Sequence, residues 1–267
     1  MMATQPDGIP GYEIVSGAGN TAPWITMVHG AAQNSAVFSA QIPAFQDRYR
    51  LLLIDLPGHG KSSSLPGPYG AEEYSASVLA AMDDAGVEET HFWGTHTGAG
   101  IALLLATRHL QRFASLILES AVLAGHDMPS INASYGRAKE TARQSGMEAA
   151  RRQWIAEGEW FRVLHQHPQE TRAAEHWTMI DAFGGAPWLD RSTPKTPEPI
   201  ESKLSQIKRP VLLINGEHDV VDFVRVADKL EAKLPDVQRL VIPGAGGCPL
   251  WEYPDVVNAA VLRFLEK

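Results

Sequence analysis

Six short apolar runs, most of them ending in a loop built from Gly, His or Pro, set the limits on what this chain can become. They are Trp24–Val28, Arg50–Ile54, Thr90–Trp93, Phe113–Leu118, Pro210–Asn215 and Val237–Ile242. Runs of this length rich in Leu, Ile and Val read as strands, and strands apolar on both faces belong to a parallel sheet covered on both sides. Helical patterns between the runs complete the strand–helix alternation of such a sheet. Ligands bind outside the carboxyl ends of the strands in sheets of this kind. The loops that follow the runs are therefore where a site is expected.

Between about residues 122 and 206 the strand rhythm stops. Trp154, Trp160, Phe161, Trp177, Phe183 and Trp188 occur there among charged residues in helix-like patterns, before a connector rich in proline from Thr193 to Pro199. The expected organisation is an α/β core over 1–121, a helical cap over 122–206 that closes an apolar pocket, and the rest of the core over 207–267. Most of the cap aromatics are read as the cap's own core, with Trp154 and Trp177 taken as pocket residues.

A chain of 267 residues accommodates one large α/β domain with such an insertion. A net charge of −8 without a Lys/Arg cluster argues against a nucleic-acid partner. No run approaches the roughly 20 apolar residues that span a bilayer, and Met1–Pro10 lacks the pattern of a signal peptide. The single cysteine, Cys248, leaves no internal disulfide and fits a reducing compartment. The expectation is a cytoplasmic protein with a small-molecule partner. The ten histidines show no metal-ligand spacing. No metal or other cofactor is expected, and the sequence is silent on oligomeric state.

The residues Gly94-Thr95-His96-Thr97-Gly98 lie between the strand Thr90–Trp93 and the apolar helical run that begins at Ala99. A Gly-x-Ser-x-Gly element in that context is the nucleophile elbow of the α/β-hydrolases. Four further segments resemble that superfamily in order and spacing: His29-Gly30-Ala31-Ala32, Asp55 to Ser63, Gly216-Glu217-His218-Asp219, and Gly246 to Pro254. The chain thus resembles the capped esterase, haloperoxidase-like and carbon–carbon bond hydrolase branches over nearly its whole length. The resemblance implies an α/β-hydrolase fold, with a mostly parallel sheet flanked by helices and a helical cap insertion. It also implies an oxyanion loop at Ala31, the triad acid at Asp219 and the triad base at position 247.

Two of the three triad positions depart from that pattern, because His96 replaces the serine and Gly247 replaces the histidine. A strained elbow aims its central side chain into the cleft, so His96 should face the substrate. The N-terminus of the following helix disfavours an imidazolium, which leaves a neutral ring able to take a proton. The backbone N–H groups of Ala31 and Thr97 should still form an oxyanion hole. We expect the His96 ring to lean into the space left by Gly247 and to meet Asp219, directly or through water. His126 and Gly247 are expected to border the bound substrate as well. His29, His59 and His218 are read as turn-organising, Glu119 as solvated or structural, and Cys248 as a packed small residue.

Three readings remain open. One is a cofactor-independent enzyme with His96 as general base, acting on an ester, lactone or diketone, or removing a proton as a lyase or cyclase. The second is a non-catalytic binding or sensor protein on the same scaffold. The third is a chain altered at one or both triad positions.

Overall fold

The computed structural model describes residues 8–166 and 172–267. Seven strands form one sheet: β1 (Tyr12–Val15), β2 (Trp24–Val28), β3 (Arg50–Ile54), β4 (Thr90–Thr95), β5 (Phe113–Glu119), β6 (Val211–Gly216) and β7 (Val237–Ile242). Their order is β1-β3-β2-β4-β5-β6-β7. Every pairing is parallel except that of β1 with β3. This is the mostly parallel, helix-flanked sheet of an α/β-hydrolase fold.

The six expected strands form, three with the expected bounds and three with ends shifted by one or two residues. β1 was not anticipated, because it is four residues long and its Glu13 and Ile14 are exposed. An antiparallel edge strand of that kind carries no continuous apolar run. β7 lies at the opposite edge, which leaves most of its side chains only half-buried. The central strands β2, β4, β5 and β6 are buried along nearly their whole length. Trp93 anchors one face, meeting Phe38 and Phe45 edge-on at centroid distances of 6.0 and 5.5 Å.

Between β5 and β6 the described residues form helices and no strand. The main ones are Pro129–Ser145, Met147–Glu157 and Ala173–Asp181. Trp154 packs against Trp160, Phe161 and Trp188 at 4.8, 6.1 and 5.4 Å, so the aromatic residues of this segment do form a cluster of their own. No helix among the described residues is long and apolar enough to cross a membrane.

Candidate active site

The turn between β4 and the helix Thr97–Ala106 holds His96 at φ 49° and ψ −107°, a conformation that costs a non-glycine residue on the order of 1–3 kcal/mol. Its glycines are required by close approach. A Cβ on Gly94 would lie 2.3 Å from the carbonyl carbon of Gly98, and one on Gly98 would lie 2.0 Å from the Val28 oxygen. Strand and helix meet there backbone to backbone, and the turn drives the imidazole toward the carboxyl ends of the strands.

A cavity of about 310 Å³ opens at that point. Its walls include Ala31, His96, Thr97, His126, Trp154 and Trp160. Neither the Ala31 N–H nor the Thr97 N–H finds a partner among the described residues, so both remain available as donors. The Ala31 loop is held from behind by two neutral histidines. His29 donates through Nδ1 to the Gly30 carbonyl at 2.7 Å and accepts from the Leu56 N–H at 3.0 Å. His59 donates to the Pro57 carbonyl at 3.0 Å and accepts from the Ala32 N–H at 3.2 Å. Burial pushes His59 down to about 3, which keeps it uncharged in this role. The ring of His218, by contrast, is exposed.

The His96 ring is buried, and burial pushes it down to about 4 against the opposing effect of a bond to the Gly247 carbonyl. Nε2 lies 2.8 Å from that carbonyl oxygen, and Nδ1 lies 2.9 Å from the Thr95 hydroxyl. The expected direct contact with Asp219 is not made. Asp219 Oδ2 accepts from the Ser120 hydroxyl at 2.7 Å and from Asn215 at 2.8 Å, while Oδ1 accepts from the Val220 N–H at 2.8 Å. Burial outweighs these bonds and raises the carboxyl to about 6.

The physical reason is that the space at Gly247 is not vacant. A Cβ there would sit 2.5 Å from Trp160 Cβ, 2.9 Å from Trp160 Cα and 3.0 Å from Asp219 Oδ1. The Gly247 N–H also donates to the Trp160 carbonyl at 3.2 Å. The aromatic segment over the sheet has filled the place of a side chain at 247. His96 and Asp219 both border Gly247 without touching each other.

Gly247 therefore contributes a carbonyl to His96 and is not part of the cavity wall. Trp177 is half-buried on the helix Ala173–Asp181 and does not line the cavity either. His126 and Trp154 do line it. Sequence reasoning passed over Trp160 as a site residue; of the two roles left open for Glu119, solvated or structural, burial excludes the first, because the residue is enclosed with Oε1 3.1 Å from the Thr95 hydroxyl. An acid closing an otherwise apolar strand was the available signal. Cys248 is buried and free, and burial pushes its thiol well up, as suits a packed small residue. Among the described residues, no group of three or more His, Cys, Asp or Glu side chains is placed to hold a metal ion.

The model of the alpha/beta hydrolase fold family matches residues 23–254, and the chain belongs to that family. It is 26% identical over 265 residues to a pimeloyl-[acyl-carrier protein] methyl ester esterase of Nitrosospira multiformis, covering 91% of this chain and 94% of that protein. It is 25% identical to a 2-hydroxy-6-oxononadienedioate/2-hydroxy-6-oxononatrienedioate hydrolase of Burkholderia vietnamiensis, covering 94% and 89%. The enol-lactonase of Burkholderia xenovorans superposes with a TM-score of 0.81 at 22% identity, covering 96% of each chain. By name these relatives are an esterase, a hydrolase and a lactonase.

Proposed function

We propose that this member of the α/β-hydrolase fold family is an enzyme acting on a small, mostly apolar carbonyl compound, with His96 as the proton-transfer residue in place of a serine nucleophile. The observation that carries the reading is the meeting, on one wall of an apolar cavity, of a neutral imidazole and two unengaged backbone N–H groups. A carbonyl oxygen set against Ala31 and Thr97 has its developing negative charge stabilised by fixed donors in a site poor in water. A proton passes from water to His96, hydroxide adds to the carbonyl carbon, and the proton is returned to the leaving group. The same arrangement removes a proton from the carbon beside the carbonyl when that carbon is acidic. The relatives, by name a methyl ester esterase and a hydrolase of oxo-dienedioate and oxo-trienedioate compounds, support a carbonyl substrate.

One observation favours a second reading, a binding protein without turnover. Both ring nitrogens of His96 are engaged within the protein, and Trp160 occupies the place where the family pattern puts a base. Catalytic hydrogen bonds rearrange when substrate binds, so turnover requires His96 to release one of these two bonds in the complex.

Turnover of a panel of esters, lactones and β-diketones by the protein and its His96→Ala variant separates the two. Activity lost in the variant by at least a hundredfold supports the enzyme. Silence across the panel, with a thermal shift from the same compounds, supports the binder and overturns the proposal.

A further inference from the structure

We infer that Glu119 is a positioning residue held as the neutral acid, which turns the Thr95 hydroxyl toward His96 Nδ1 while the Gly247 carbonyl keeps the ring's proton on Nε2. The inference rests on the reading of His96 as a proton-transfer residue for its consequence, but the hydrogen bonds alone carry its geometry.

The chain of contacts runs from β5 through β4 to the loop after β7. Glu119 Oε1 lies 3.1 Å from Thr95 Oγ1, which lies 2.9 Å from His96 Nδ1, and His96 Nε2 lies 2.8 Å from the Gly247 carbonyl oxygen. A carbonyl oxygen has no hydrogen to give, so Nε2 must carry the proton. A neutral imidazole has one N–H, which leaves a bare lone pair on Nδ1. The hydrogen between Nδ1 and Thr95 then belongs to the hydroxyl, and Thr95 has no second hydrogen for Glu119. An ionised carboxylate would meet the hydroxyl oxygen lone pair to lone pair. A carboxylic acid supplies the missing hydrogen. The other oxygen, Oε2, already accepts from the Leu250 N–H at 2.9 Å, which assigns the acid proton to Oε1.

The same distances would fit an imidazolium facing a carboxylate, with the hydrogens of the chain reversed. Burial decides against that pair. Both groups are enclosed, and enclosure drives each toward its uncharged form, with Glu119 raised well above the carboxylate range and His96 lowered. The surrounding groups push the same way. Asp219 after β6 and Glu252 in the loop after β7 lie near enough to disfavour a further negative charge on Glu119. His176, from the helical segment over the sheet, is held uncharged by its own burial, at about 3, and so supplies no charge to the pair. Phe223 closes the remaining side, its centroid 5.1 Å from the His96 ring. Leu250 and Thr95 are the two groups bonded to the Glu119 carboxyl, and neither carries a charge.

The consequence is directional. A Cβ on Gly30 would lie 3.0 Å from Nδ1, so this atom lies beside the turn that leads to Ala31, with its lone pair directed at the Thr95 hydroxyl, which must swing away before Nδ1 takes a proton. The acid of the family pattern is thereby bypassed, and the imidazole is oriented from beneath by Thr95 and Glu119.

Nitrogen NMR on protein labelled in the histidine rings tests this, with His96→Gln identifying the signal. The expected result at neutral pH is a bare Nδ1 and a protonated Nε2. In Glu119→Gln the pattern persists, because the amide donates to Thr95 while its oxygen accepts from Leu250. In Thr95→Val the proton stays on Nε2, held by the Gly247 carbonyl, while the Nδ1 resonance shifts toward that of a lone pair with no donor, and Thr95→Ser reverses the shift. A carboxylic-acid carbonyl band in the infrared spectrum of the unaltered protein should vanish in Glu119→Gln, and this readout does not require His96 to be assigned. A proton on Nδ1, or on both nitrogens, in the unaltered protein overturns the inference. So does a Glu119→Gln variant whose His96 signal changes state. Turnover measured alongside reports separately on the proposed function, since the tautomer pattern can hold in a protein that catalyses nothing.

Discussion

Replacing Gly247 with alanine should destabilise the protein, although the backbone at this position lies outside the left-handed region and alanine is ordinarily the better residue. The added methyl meets Trp160 Cβ at 2.5 Å and Trp160 Cα at 2.9 Å. Main chain cannot turn aside as a side-chain tip does. The Trp160 ring is also wedged against Trp154 and Phe161 at centroid distances of 4.8 and 5.4 Å. Overpacking of this sort costs about 1–3 kcal/mol, and the rigid neighbour places this case in the upper half. With about 2–4 °C lost per kcal/mol in a chain of this size, the melting temperature should fall by roughly 4–12 °C. Gly136→Ala is the matched control. It lies in the helix Pro129–Ser145 with nothing within 4 Å of the new methyl, and should gain about 0.5–1 kcal/mol. Thermal and urea melts of both variants provide the comparison. Adding Trp160→Ala should not restore the loss, because the obstructing atoms are Cα and Cβ. A Gly247→Ala variant that melts at or above the parent would refute the packing account.

Two further outcomes follow from the same geometry. Burial raises Glu252 from an ordinary 4.5 to about 7, so in that window the folded chain keeps a proton that the unfolded chain has released. The Glu252 contribution to stability falls as pH rises from about 5 to about 7, opposite in sign to that of buried histidines such as His59 and His96. The difference between the parent and Glu252→Gln should therefore grow through that window to a gain for the variant of at most roughly 3 kcal/mol; parallel stability–pH curves for the two proteins would contradict it. Trp154→Ala, which opens the cavity wall, should raise KM or ligand Kd about tenfold or more, whereas Trp177→Ala should leave them within about twofold. Equal effects from the two would place the binding cavity elsewhere.

The fold was legible because its signals are local and repeated. Each of β2 to β6 announces itself by an apolar run, and the elbow by two glycines that backbone contact at 2.0–2.3 Å makes obligatory. The site was legible only as far as the backbone determines it. Thr97 and Ala31 stand where the turn geometry puts them whatever side chains surround them. The dyad of His96 with Asp219 was inferred by treating Gly247 as a hole, and that reasoning omitted the segment folded over the sheet. Trp160 reaches Gly247 from 87 positions earlier in the chain, a pairing that no local pattern encodes. The role of Glu119 stayed open for a related reason. Its partner Thr95 is adjacent in the sheet register and 24 residues away in sequence.

The two departures from the family pattern are coupled, though not by the direct contact that the sequence suggested. A serine at 96 would end near its own Cβ, whereas an imidazole extends to the Gly247 carbonyl. That carbonyl is steadied by a glycine whose N–H is bonded to Trp160 and whose missing side chain is replaced by Trp160 itself. Positions 96, 160 and 247 therefore form one packing unit, in which the segment over the sheet takes over the volume of the lost base. Substitutions within such a unit are non-additive, because each residue is shaped by the other two. Gly247→His alone would place a ring where Trp160 already sits, and so would not recreate the family's triad. His96→Ser alone would leave the Gly247 carbonyl without its imidazole donor, and would supply a hydroxyl with no base beside it. Because the obstructing atoms at 160 are Cα and Cβ, no change of side chain there makes room for a ring at 247 unless the backbone of the segment also shifts. Neither single reversion should therefore yield serine-type esterase activity.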